Sequence, residues 1–129
     1  MVIIDTSAWI EYLQGGQPSV VSKVDRLLNL DLVGIGDLIY CEIIQGIPSE
    51  SQRRQVSDLL LALPRFDMVG FHIAQKASAN FRLLRSRGVT IRKTIDVIIG
   101  TFCAENDLPL VHHDRDFDHM ARFIGLKIL

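Results

Sequence analysis

The chain has 129 residues, 48% of them apolar and 22% charged, the size and balance of one globular domain with a real core, which excludes disordered, collagen-like and coiled-coil chains. Fourteen Lys and Arg against fifteen Asp and Glu give a formal net charge of -1. That total argues against a wholesale polyanion binder only while the charges are taken as evenly spread.

A short apolar run at residues 2–4, rich in β-branched side chains, is too brief for a helix and predicts a strand buried on both faces. A helix follows over residues 7–13, stopped by Gly15 and Gly16. Ser19 suits the N-cap of a second helix reaching Leu30, with Val20, Val24, Leu27 and Leu28 at helical spacing. Residues 32–35 form the second predicted strand. Asp37 suits the cap of a helix over residues 38–47 that Pro48 ends, and Ser49 the cap of another reaching residues 63–64. A weaker strand at residues 66–69 precedes a long helix at 73–86 and Gly88. Thr94 then caps a helix to Asn106, residues 108–111 form a buried strand, and residues 126–129 are a last candidate strand. Strands alternating with helices predict an α/β fold: right-handed crossovers, a mostly parallel sheet and helices on both faces, in a single domain over residues 1–129. Function in such sheets gathers at the carboxyl ends of the strands.

Cys41 and Cys103 stand far apart among apolar residues, in no CxxC pair, which predicts reduced thiols and argues against a Cys/His zinc site. The opening MVIIDTSAW has no basic segment before its apolar run, and no apolar stretch nears the roughly 18 residues of a membrane span. A cytoplasmic protein with no membrane contact is the expectation.

Acids fall at the predicted strand ends. Asp5 ends the first strand and is followed by Thr6 and Ser7, an arrangement that suits a helix N-cap as well as a site. Asp114 and Asp116 follow the strand LPLV in HHDRDF, where a polar turn is the alternative. Glu42 lies in DLIYCEIIQGI, apolar nearly all round, and is expected to be buried. Asp96 stands in the first turn of TIDVIIGTFCA, where a negative charge complements the helix dipole, and Gly100 one turn on should leave space beside it. Each acid alone could be a locally hydrogen-bonded group. Several converging in one cleft would repel one another, and a divalent cation removes that penalty. Oxygen donors without a supporting cysteine favour Mg²⁺ or Mn²⁺ over zinc.

VIIDTSAWIEYL, GDLIYCEIIQG, TIDVIIG and LPLVHHDRDFDHMA together resemble, in order and spacing, the PIN-domain family, and within it the VapC-type toxins of type II toxin–antitoxin systems. The resemblance spans essentially the whole chain. It implies a three-layer α/β/α domain with Asp5, Glu42, Asp96 and Asp114 as an acidic cluster holding Mg²⁺, Asp116 as a further carboxylate, and Thr6 or Ser7 orienting water or the first aspartate. It also implies metal-dependent endoribonuclease activity that leaves a 5′-phosphate, a cognate antitoxin that blocks the site, and a homodimer. Where many relatives carry Thr or Ser before the last acidic motif, this chain has His112 and His113, which are left outside the cluster.

No acid occurs between Met68 and Ile95, whereas Lys76, Arg82, Arg85, Arg87, Arg92 and Lys93 all do. Arg85, Arg92 and Lys93 are the candidate RNA contacts; Lys76 and Arg82 suit a solvated helix face equally well. Trp9, Tyr12 and the helix after Ser49 offer a partner surface, with core packing as the alternative. If the five cluster acids are set aside, ten acids face fourteen basic residues, an excess of +4, so the neutral total is compatible with an RNA substrate. A phosphoacceptor receiver would need adjacent acids after the first strand and a late lysine, and only Lys127 follows Lys93. A PIN nuclease of RNA processing, or a catalytically idle binding module, remains the alternative to a toxin.

Overall fold

Three consecutive aliphatic residues leave no polar face, and Val2–Ile4 accordingly form β1 with every side chain buried. The computed structural model describes residues 1–129. After β1 come α1 (Thr6–Gln14), α2 (Pro18–Asn29), β2 (Val33–Gly36), α3 (Asp37–Gln45), α4 (Glu50–Leu61), β3 (Arg65–Phe66), α5 (Phe71–Ser86), α6 (Thr94–Glu105), β4 (Leu110–Val111) and α7 (Asp116–Ile124). The sheet order is β3-β2-β1-β4. β1 and β2 run parallel with Val2 opposite Val33, and β2 and β3 parallel with Ile35 opposite Arg65. The α/β class with a parallel sheet is as the sequence predicts. No helix is long and apolar enough to cross a membrane.

Two compact units divide the chain: Met1–Asp67 with Val111–His113, and Met68–Leu110 with Asp114–Leu129. In the first, Ile3, Ile4, Trp9, Val24, Ile39 and Leu60 are wholly buried. The Asp5 N–H donates to Val111 O at 2.8 Å, which ties the end of β4 to the end of β1. Asp5 is then the N-cap of α1, its carboxylate accepting from the Ser7 N–H, and Gly15 closes the helix in the left-handed conformation at φ 64°. Ser49 caps α4 as expected, through the Gln52 N–H.

Other boundaries are corrected. α2 starts at Pro18 with Gln17 before it, so Ser19 lies inside the first turn. Proline at that position has its φ already set and no N–H to satisfy. Gly36, not Asp37, precedes α3, while Asp37 opens the helix and accepts the Leu38 N–H at 2.8 Å; the helix ends at Gln45, short of Ile47. Trp9 is fully buried with Tyr12 edge-on at 6.0 Å, so it belongs to the core and offers no partner surface.

In the second unit α5, α6 and α7 enclose Met68, Leu84, Ile99, Phe117 and Met120, all wholly buried. Asn80 Nδ2 on α5 donates to the buried Thr101 Oγ1 on α6 at 3.0 Å. α5 begins at Phe71, two residues before the predicted start, and Thr94 is the first residue of α6, with Lys93 in the cap position. Neither flanking strand reaches its predicted length: β3 stops at Phe66, and β4 starts at Leu110, next to a proline that has no N–H to give a ladder. At the C-terminus only a parallel bridge between Leu110 and Ile128 forms. The predicted space beside Gly100 is filled, since a Cβ there would lie 2.5 Å from Met120 Sδ. Gly100 is thus a close-packing position between α6 and α7.

The sequence reading has no counterpart to α7. In sequence, Asp114 and Asp116 suit a site or a polar turn, yet Phe117, Met120 and Ile124 recur at helical spacing beside and beyond them, and Phe117 and Met120 are buried.

Candidate functional site

The carboxyl ends of β1 and β4 place the first group of polar side chains. Capping α1 brings Asp5 back over its own helix: Oδ2 accepts from the Ser7 N–H at 3.0 Å and from Ser7 Oγ at 2.6 Å. Only 3% of Asp5 is exposed. Thr6 turns the other way, and its Oγ1 donates to Glu42 Oε1 at 2.7 Å. The two adjacent hydroxyls therefore hold two different carboxylates. Glu42 is half-buried rather than buried, because α3 sinks only Ile39 and Ile43 and leaves neighbouring Cys41 exposed.

Two helix starts build the acidic group of the second unit. Asp96 stands in the first turn of α6 at 5% exposure, and Asp114 stands two residues before α7, with Arg115 as the cap between them. Asp114 Oδ1 accepts the Asp116 N–H at 3.0 Å and Asp114 O accepts the Phe117 N–H at 3.1 Å, an Asx turn that starts the helix. Carboxylate oxygens of Asp96, Asp114 and Asp116 lie within 4.8 Å of one another. Three carboxylates so close repel, and the positive ends of two helix dipoles offset only part of that repulsion. The donor set is all hard oxygen, which fits Mg²⁺ or Mn²⁺ and does not suit a thiophilic ion.

These acids open into a cavity of about 750 Å³ that Arg92, Lys93, Arg115 and His119 also line. Acids and the basic side chains Arg92, Lys93 and Arg115 share one lining, and a cation between the acids and a phosphate would offset their repulsion. Arg92 and Lys93 are where the sequence reading expects RNA contacts. Arg85 does not line the cavity; it lies in the exposed last turn of α5, 5.9 Å over the Phe81 ring. Lys76 is engaged with Glu105 at 3.5 Å. Arg115, Asp118 and His119 are cavity residues that the sequence does not single out, and all three depend on α7. The apolar period of that helix was the available signal.

The PIN domain family model matches residues 2–123 of the chain. Ribonuclease VapC11 of Mycobacterium tuberculosis is 30% identical over 129 residues, covering 98% of this chain and 96% of that protein. Among solved structures, VapBC2 from Rickettsia felis bound to a promoter DNA fragment matches with a TM-score of 0.77 at 15% identity, over 100% of this chain and 98% of that one. A toxin–antitoxin complex from Klebsiella pneumoniae matches at TM-score 0.66 and 17% identity, over 89% and 88%. At those identities the solved structures share the fold, while the family model and the 30% relative, both running nearly the full length, carry the kinship. The chain belongs to the PIN-domain family.

Proposed function

We propose that the protein is an Mg²⁺-dependent endoribonuclease, the toxin of a toxin–antitoxin pair, acting as one nuclease domain on RNA in the cytoplasm. The observation that carries this reading is the trio Asp96, Asp114 and Asp116, with carboxylate oxygens within 4.8 Å of one another in a basic-rimmed cavity of a PIN-family chain. A ribonuclease relative supports the RNA substrate, and a toxin–antitoxin complex among the structural matches supports a cognate antitoxin. A homodimer belongs to the same reading.

Asp5, Glu42, Asp96 and Asp114 are the proposed ligands, with Asp116 beside Asp114. Bound there, Mg²⁺, or Mn²⁺ in its place, would polarise the phosphoryl oxygen, lower the pKa of the attacking water and neutralise charge on the leaving oxygen. The chain's own part is positioning. Ser7 holds Asp5 and Thr6 holds Glu42, so both carboxylates keep one orientation before substrate arrives. Arg92 and Lys93 neutralise the phosphates next to the one being cut. Purified protein should cleave RNA with Mg²⁺, stop in EDTA and resume with added Mg²⁺ or Mn²⁺, as read by the 5′-phosphate ends of the fragments. Cleavage that persists in EDTA would remove the metal from the mechanism.

Binding should depend on salt in a way that counts the basic contacts. Each phosphate neutralised contributes about 0.7 to 0.9 to the slope of log K against log salt, so reversing Arg92 and Lys93 to Glu should lower that slope by at least ~1.4 and weaken binding to all RNAs alike. An unchanged slope in filter binding or anisotropy would take both residues out of the interface. The same reversal at Arg85 tests the one candidate contact that lies off the cavity.

A further inference from the structure

A chain of contacts runs from Gly16 through Glu11 and His113 to Asp5. The His113 N–H donates to Ser7 Oγ at 2.9 Å, and that hydroxyl donates its own proton to Asp5 Oδ2 at 2.6 Å. With the His113 amide on its acceptor side, the Ser7 hydroxyl is held with its proton toward the carboxylate. The His113 ring is engaged in turn, its Nε2 lying 3.3 Å from Glu11 Oε1 on α1. Glu11 reaches that place because residue 16 has no side chain: a Cβ on Gly16 would stand 3.0 Å from Glu11 Cδ and closer still to Oε2. The Gly16 N–H also donates to Glu11 O at 2.8 Å, which folds the chain back over that residue. Gly16 is not among the residues with positive φ, so the space it leaves, and not backbone freedom, is what distinguishes glycine there.

We propose that Glu11 and His113 are a positioning pair, seated in the space left by Gly16, that holds the end of β4 against Ser7 and so sets the orientation of Asp5 toward its metal; this rests on the reading of Asp5 as a ligand. Half of the His113 side chain is exposed, and polar contacts so open to water add little to stability. Their consequence is geometric. Groups that orient a ligand carboxylate from behind typically carry tenfold or more in metal affinity.

Mn²⁺ titration of the full chain, followed by electron paramagnetic resonance, tests this with Glu11→Gln, Gly16→Ala, their double variant and Asp5→Asn, alongside melting of the metal-free proteins. Glu11→Gln and Gly16→Ala should each weaken Mn²⁺ binding about tenfold, the double variant should be no worse than either because both remove one contact, and metal-free melting should not move. Loss of binding in Asp5→Asn with wild-type binding in the other variants would overturn the positioning role and leave the metal reading intact. Wild-type binding in Asp5→Asn would remove Asp5 from the ligand set and overturn the pair's role with it, leaving the trio of Asp96, Asp114 and Asp116 to hold the metal. A fall in metal-free melting that accounts for the lost affinity would make the pair structural and overturn the proposal.

Discussion

Replacing Asp96 with Asn is expected to lower RNA cleavage by about 10³-fold or more, about 4 kcal/mol of barrier at 1.36 kcal/mol per decade, while leaving the protein at least as stable as before. The two halves of that expectation pull in opposite directions, which makes the pair of measurements decisive. Asp96 is 5% exposed and its carboxylate lies within 4.8 Å of those of Asp114 and Asp116. Asparagine keeps the shape and one oxygen but removes a negative charge from a group of three, so metal-free protein loses repulsion and its melting temperature should hold or rise. Metal binding loses a charged ligand at the same stroke. Single-turnover cleavage and metal-free melting on the same preparation check both. A variant that loses activity and melts well below wild type would place Asp96 in the framework of α6 and not in the chemistry. A variant that still cleaves at the wild-type rate would remove it from the ligand set.

The acids were legible in the sequence because each violates its own neighbourhood. Asp96 stands in a helix that buries Val97, Ile99, Gly100, Thr101, Phe102 and Cys103, and a charge in such company needs a reason. Asp5 was ambiguous at that level and turns out to be an N-cap by its hydrogen bonds. Capping and ligation are compatible, since the same Ser7 contact that starts α1 also orients the carboxylate. The apolar composition of α3 predicts a buried Glu42, whereas the helix is covered along only one stripe, Ile39 and Ile43, and leaves Glu42 half-buried. The sequence places the caps of α2, α3 and α6 two, one and one residues too late, at Ser19, Asp37 and Thr94, because hydroxyl and acidic residues are favoured both as caps and in the first turn. The roles of Glu11 and Gly16 could not be read at all. They depend on a contact between α1 and residue 113, which no local pattern encodes.

α7 is the part whose omission mattered most, and Phe117→Ala measures what it contributes. Phe117 is wholly buried between two exposed or half-buried aspartates, Asp116 and Asp118. Its own N–H donates to the backbone Asp114 O, and one residue back the Asp116 N–H closes the Asx turn on Asp114 Oδ1. The ring therefore pins the helix whose first turn orients the acids. Truncating a fully buried phenylalanine costs about 3 to 5 kcal/mol, a large share of the 5 to 15 kcal/mol that holds a typical domain together. Urea unfolding should shift by that amount with an unchanged slope. Phe117→Leu, which keeps most of the buried volume, should lose much less. If packing of α7 is what orients Asp114, then under conditions where Phe117→Ala is still folded it should bind Mn²⁺ more weakly than Phe117→Leu. Equal Mn²⁺ affinity in the two folded variants would show that the Asx turn at Asp114 holds its carboxylate without help from the ring.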